Sequence, residues 1–155
     1  MINKEITKTA VLKFLRSVSV MTLAAVNDDR PLSTVLLFAV DDDFTFYFAT
    51  KSETYKAKAI LKNPKVSISV WEHKQMLIQV DGTAEQIEEE ETINGVVEKL
   101  AKSTTNIEEF WPPILRVKGK GDYVVFKIKP SWIRAMDVSS DTMKEKEPSF
   151  TEINI

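Results

Sequence analysis

Three apolar stretches rich in β-branched and aromatic residues follow one another early in this 155-residue chain, with very little between them. SVMTLAAV (Ser19–Val26) is parted from LSTVLLFAV (Leu32–Val40) by NDDRP, and Leu32–Val40 from FTFYFA (Phe44–Ala49) by three aspartates, Asp41–Asp43. Asn and Asp bond their own backbone and tolerate tight turns, and Pro presets one of the turn angles. Connections this short join antiparallel neighbours, whereas a parallel pair needs a crossover of about a dozen residues or more. The pattern predicts an antiparallel meander. The aspartates read as a solvated hairpin turn, since no Asp/Glu/His set at ligand spacing accompanies them as a metal site would need.

The remaining chain keeps this character. Lys4–Ser17 carries Val11, Phe14, Leu15 and Val18 at helical spacing, an amphipathic N-terminal helix. Val66, Ile68 and Val70 alternate with Ser67, Ser69 and Trp71, the mark of a half-buried strand. Met76–Glu85 predicts another strand, bent at Gly82. Ile93, Val96, Val97, Leu100 and Ala101 predict a packed helix whose N-terminal end suits Glu88–Glu91. An aromatic and proline-rich connection (Asn106–Arg116) then leads to a last long strand, GKGDYVVFKIKPSWIRAMDV (Gly119–Val138). The expected architecture is mainly β, an antiparallel barrel with peripheral helices over residues 1–140. Residues 141–155 form a polar tail that orders only where a partner holds it.

Composition narrows the chemistry. A formal charge of −2 gives no basic face for nucleic acid or a membrane surface. Cysteine is absent, which removes disulfides and thiol chemistry and suits a cytoplasmic protein. The N-terminal residues lack the apolar core of a signal peptide, and no run spans a bilayer. His73 is the sole histidine, without a nucleophile context around it, and reads as a turn or strand-end residue. Walker A and GxGxxG sequences are absent. Redox chemistry would need a borrowed cofactor.

One stretch does offer a binding site. After Phe44–Ala49, TKSETYKAKAILKNP (Thr50–Pro64) opens a short helix whose first residues include Ser52, Thr54 and Lys56. The unpaired N–H groups and positive dipole end of a helix start favour an anion, and hydroxyls with a lysine would complete a phosphate pocket. A capped surface helix with solvated lysines is the competing reading.

The succession RPLSTVLLFAVDDDFTFYFATKSETYKAKAILKNPKVSISV, then QVDGTAE, then YVVFKIKPSWIRAMD, resembles the FMN-binding split-barrel proteins related to pyridoxamine 5′-phosphate oxidase, and most closely their general-stress-protein branch. The resemblance covers residues 8 to 138. It implies a six-stranded antiparallel split barrel that forms a homodimer, with FMN in clefts at the subunit interface. It lays Ser33, Thr34, Val35, Leu36 and Leu37 along the isoalloxazine, and gives Ala49, Thr50, Thr54 and Lys56 the phosphate and ribityl chain. Gln75 would approach the flavin's pyrimidine edge, and Trp111 would cover the ring from the partner subunit; a packing role for Trp111 stays equally open. Trp71 and Trp132 are packing residues on this reading.

Two departures from the family pattern shape the functional expectation. Tyr55 stands where the oxidase commonly has an arginine, so one cation is missing from the cradle. The C-terminal Arg-x-His substrate motif is absent, so vitamin B6 oxidation is not expected. The resemblance then implies an FMN-dependent oxidoreductase of stress-protein type, with NADH or NADPH as candidate donors. The alternatives are a non-catalytic protein using the same cleft for a flavin, a deazaflavin or haem, and a purely structural dimer with an empty cleft.

Overall fold

Two hairpins and one interrupted strand set the first half of the fold. The computed structural model describes residues 6–103, 123–139 and 149–155. After helix α1 (Lys8–Ser17), β1 (Val20–Asn27) turns through Asp28–Asp29 into β2 (Arg30–Leu37). The turn is tighter than the five residues expected, because Arg30 and Pro31 join the ladder opposite Asn27 and Val26. Asp28 takes the left-handed conformation (φ 57°) that a two-residue hairpin demands and Asp tolerates. Proline fits in β2 because this strand ends the sheet order, so its missing N–H breaks no ladder on the far side.

The expected single strand Leu32–Val40 is interrupted at Phe38: β2 stops at Leu37, and β3 (Ala39–Val40) pairs instead with β4 (Phe46–Lys51). The turn before β4 extends to Phe44, buried at φ 64°. Such an angle is strained for a bulky residue and persists only where the surroundings fix it. Here the Asp41 N–H donates to the Thr45 carbonyl (2.9 Å) and the Phe44 N–H to the Asp41 carbonyl (3.0 Å). The Thr45 N–H donates to the Asp43 carboxylate (3.0 Å), and hydrogen bonds from Thr45 hold that carboxyl below its usual range.

Helix α2 (Tyr55–Lys62), strands β5 (Lys65–Glu72) and β6 (Met76–Ile87), helix α3 (Glu90–Ser103), strand β7 (Tyr123–Asp137) and the short β8 (Thr151–Glu152) complete the described residues. The strands form one antiparallel sheet in the order β2-β1-β5-β6-β7-β4-β3, with β8 beside β7. Because β2 and β3 belong to one run of chain, the two ends of this sheet meet and curl it into the expected split barrel. Among the described residues there are eight strand segments where six strands were expected. The break at Phe38 accounts for one extra segment and β8 for the other.

Inside the barrel, Leu23, Leu36, Phe38, Phe46, Phe48, Ile68, Ile78, Val80, Phe126 and Ile128 form the main core. Phe48 and Phe126 stack with ring centroids 5.2 Å apart. Ala57 and Ile60 of α2 and Val11, Phe14 and Leu15 of α1 close it. A second cluster lies on the outer side of the sheet, where Val96 and Leu100 of α3 cover Leu37, Ala49 and Val125. The C-terminal segment corrects the expectation of a tail ordered only by a partner. Residues 149–155 return to the sheet of their own chain, where the Ile153 N–H donates to the Ile133 carbonyl (2.9 Å) and the Ile153 side chain is buried in the main core.

The bend expected at Gly82 is a shift in the β6–β7 register between Asp81 and Gly82. A Cβ on Gly82 would lie 2.6 Å from the Lys129 carbonyl oxygen and 3.0 Å from Ile128 Cγ2. The first neighbour is backbone and cannot yield cheaply. Gly82→Ala is expected to lower unfolding stability by roughly 2 kcal/mol, as overpacking does, read from the denaturation midpoint at unchanged m-value.

Candidate functional site

The turn from β4 into α2 is built around Thr54. Its side chain caps the helix, accepting from the Ala57 N–H at 3.3 Å, while its own hydroxyl donates to the Lys51 carbonyl at 2.9 Å. Thr50, next to last in β4, has its side chain buried on the same face as Phe48, and its hydroxyl oxygen lies 3.4 Å from that of Thr54. Two hydroxyls therefore converge at the helix start. The backbone N–H groups of Tyr55 and Lys56, the first two of the helix, have no protein acceptor among the described residues.

Lys56 is half-buried and forms no ion pair among the described residues. Burial pushes its ammonium below the usual lysine range. A partly desolvated cation without a counter-charge among the described residues, in the first turn of a helix whose leading N–H groups have no acceptor there, is an arrangement that an oxyanion would complete. The Thr50 and Thr54 hydroxyls, spent on each other and on the Lys51 carbonyl, hold the turn. Tyr55, in the place of the missing arginine, is 78% exposed and adds no charge.

β2 supplies a different surface. Ser33 and Val35 lie exposed on the outer face, Val35 at 45%. Thr34 is half-buried on the inner face, and Leu36 points into the main core. Leu37 is buried in the second cluster beside Ala49. The side chains of Leu36 and Leu37 are thus packing residues, and only their backbone can face a ligand. That backbone is available: β1 is the only strand paired with β2 among the described residues, which leaves the other edge open. The shared Leu37–Ala49 packing brings the end of β2 against β4, just before Thr50.

Other expected positions stand apart. Gln75 sits exposed in the β5–β6 turn, its carbonyl accepting from the Val138 N–H (3.1 Å), with β1 and β5 between it and β2. Within one chain it does not join the Thr50–Lys56 cluster. Trp111 lies outside the described residues. His73 is an exposed turn residue whose ring centroid is 6.1 Å from that of Trp71. No group of three or more potential metal ligands occurs among the described residues.

Two hollows were not foreseen. One of about 770 Å³ lies between the end of α1, the Asp41–Asp43 turn and α3. Four of its charged side chains are paired with one another: Arg16 meets Asp42 at 2.5 Å, and Asp41 accepts from both Lys99 and the Tyr47 hydroxyl. Burial and the neighbouring Asp41 push the Tyr47 phenol up to about 12. The other, of about 420 Å³, runs across the outer face of the sheet from Ser33 to Arg134.

An antiparallel barrel split along an edge strand, with an anion-ready helix start beside that edge, is the class these features define. The family model for pyridoxamine 5′-phosphate oxidase matches residues 7–137, and the chain belongs to that family. Solved structures agree on the fold. The General Stress Protein 26 of Bacillus anthracis is 24% identical with TM-score 0.67, the match covering 94% of this chain and 97% of that one. A FAD-binding protein of Mesorhizobium loti is 23% identical with TM-score 0.62, covering 79% and 88%. A heme storage protein of Vibrio cholerae is 20% identical with TM-score 0.63, covering 81% and 91%. No curated protein matches the sequence significantly. No described helix is long and apolar enough to cross a membrane.

The burial of Lys56 carries a testable sign. With its folded pKa lowered, the unfolded chain binds more protons between the two values, so stability rises with pH across that interval. Lys56→Met is expected to leave the thermal midpoint no lower than the parent's at neutral pH. The gap between the two proteins should narrow as the pH climbs into the lysine range, a trend that thermal melts across pH will measure.

Proposed function

We propose that this chain is an FMN-binding flavoprotein, an oxidoreductase of the general-stress-protein type rather than a pyridoxamine 5′-phosphate oxidase, acting as a homodimer with the cofactor in clefts at the subunit interface. The observation that carries the reading is the unpaired, half-buried Lys56 at the start of α2, with Thr50 and Thr54 beside it and the open edge of β2 adjoining. A flavin mononucleotide has the two parts this arrangement accepts: a phosphate dianion, and a flat ring whose polar edge can bond to free backbone groups. The FAD-binding relative supports a flavin in this fold.

When bound, the flavin supplies hydride and electron transfer. The chain's own residues hold and orient it. Lys56 and the first N–H groups of α2 balance the phosphate charge, and the Thr54 hydroxyl oxygen fixes the helix start on which both depend. Ser33 and Val35 present the outer face of β2 to the ring, and the β2 backbone is aligned for its heteroatoms. Leu36 and Leu37, locked in two cores, keep this edge rigid.

The outer face also supports a second copy as the neighbour across the cleft. Val35 and Trp71, 45% and 59% exposed, share it with the half-buried Leu77 and Met136. In a dimer, Gln75 and Trp111 of one chain would act on the cofactor held by the other. Haem is the less favoured occupant, since His73, the only imidazole, sits in an exposed turn away from the cluster.

Purified protein incubated with FMN and desalted is expected to keep absorption bands near roughly 370 and 450 nm. Lys56→Ala removes one charge-assisted bond, worth about 1.5–3 kcal/mol, and should weaken FMN binding at least about tenfold. Unchanged retention in that variant would refute the phosphate assignment, and a monomer by light scattering at micromolar concentration would refute the interface cleft.

A further inference from the structure

The outer-face groove holds a second cation whose surroundings keep its charge unspent. Two cross-strand rows line the groove: Thr22, Ser69, Gln79 and Arg134 in one, and Ser33, Ala24, Ser67, Asp81 and Trp132 in the other. Arg134 is pinned on three sides. Its Nε donates to Gln79 Oε1 at 2.7 Å, and its guanidinium lies 3.7 Å from the Phe150 ring centroid and 5.1 Å from that of Trp132.

Two carboxylates stand close enough in register to neutralise Arg134, and neither does. Glu152 faces it across the β7–β8 ladder, yet its Oε1 accepts from the Trp132 indole at 3.1 Å. Asp81 lies one row away, and its Oδ1 accepts from the Ser67 hydroxyl at 2.5 Å. Arg134 has no ion pair among the described residues, and its terminal Nη groups have no protein acceptor there. A guanidinium fixed by stacking and by its Nε, with both outer nitrogens free over a hydroxyl-lined hollow, has the geometry for two-point capture of an oxyanion.

We infer that this groove is a binding site for a small molecule bearing a carboxylate or phosphate, with Arg134 as its anchor and Ser33, Ser67 and Ser69 as partners for its polar remainder. The anion site stands on these contacts alone. Its assignment as the substrate end of the flavin site rests on the flavin proposal, because Ser33 belongs to both surfaces. The substrate class is then a small organic anion that exchanges electrons with the flavin.

The test follows the Trp132 indole N–H resonance, assigned by its loss in Trp132→Phe, while inorganic phosphate and then acetate are titrated at constant ionic strength with chloride as the balancing anion. A saturable shift is expected for at least one oxyanion. Arg134→Gln should weaken that response at least tenfold, and Arg134→Lys, which keeps the charge without the fork, by an intermediate factor. If Arg134→Gln fails to fold, the Lys variant and Gln79→Leu, which frees Nε, carry the comparison. No saturable shift in the parent, or an equal response in the Arg134 variants, overturns the site. FMN retention measured on the same samples reports separately on the flavin proposal: retained flavin without an anion response sinks the groove alone, and an anion response without flavin sinks the cofactor reading alone.

Discussion

The structure depends on one run of chain, residues 30–40, serving both ends of a single sheet. Its first part pairs with β1 and its last two residues with β4, so the sheet closes only if the run changes partner midway. Phe38 makes that change. Its N–H donates to the Ser19 carbonyl at 3.2 Å, and its ring is buried against Phe46, centroids 5.7 Å apart. A buried aromatic at the point where the ladder is interrupted offsets the lost strand pairing with apolar burial, worth about 2–3 kcal/mol for a side chain of this size. The price of closure is an edge of β2 left unpaired among the described residues, the edge beside which the candidate site lies.

The position of the candidate site follows from the same closure. Once β3 has joined β4, the alternation along β4 sends Phe46, Phe48 and Thr50 inward and Ala49 outward under α3. Thr50 is then a buried hydroxyl at the last turn of an apolar stack, and the chain must leave the sheet there. Thr54 caps the helix that follows, and Ala57 and Ile60 dock that helix into the barrel. The helix cannot shift without exposing this core. Its start is therefore held rigidly, and a preorganised set of donors costs little further ordering when an anion arrives.

Much of this was legible in residue order. Turn residues between β-rich stretches announced the two hairpins and helical spacing announced α1, α2 and α3, because both signals are local and burial enforces both. The simple meander expected of those strands does not form, since β2 and β4 lie toward opposite ends of the sheet order and only β3 pairs with β4. What could not be read depended on contacts distant in sequence. Nothing in LSTVLLFAV marks Phe38 as a break, since the interruption is imposed by pairing with a strand still to come. The polar composition of the C-terminal residues hid the one apolar side chain, Ile153, that returns to the core. At the candidate site the helix cap was visible in Thr54, whereas the fate of Leu36 and Leu37 was not: a strand apolar on both faces reads the same whether ligand or helix covers it. The Arg134 groove joins residues more than a hundred positions apart, such as Thr22 and Arg134, and only the register aligns them.

The distribution of charge separates structural cations from available ones. Arg16 and Lys99 meet Asp42 and Asp41 around the turn before β4, where strained backbone at Phe44 benefits from a fixed frame. These pairs are half-exposed, so their net contribution is small and screened by salt, and they do more to fix position than to add stability. Lys56 and Arg134 differ in kind. Each is partly removed from water and none of the described carboxylates pairs with it, although Glu152 stands opposite Arg134 in register. Desolvating a cation without a partner is unfavourable for folding, so such a group persists against selection for stability when something outside the fold supplies the counter-charge. The two lie on different parts of the sheet: Lys56 starts the helix that follows β4, and Arg134 sits on β7 with β1, β5 and β6 between it and β2, so each stands as a separate place for a counter-charge.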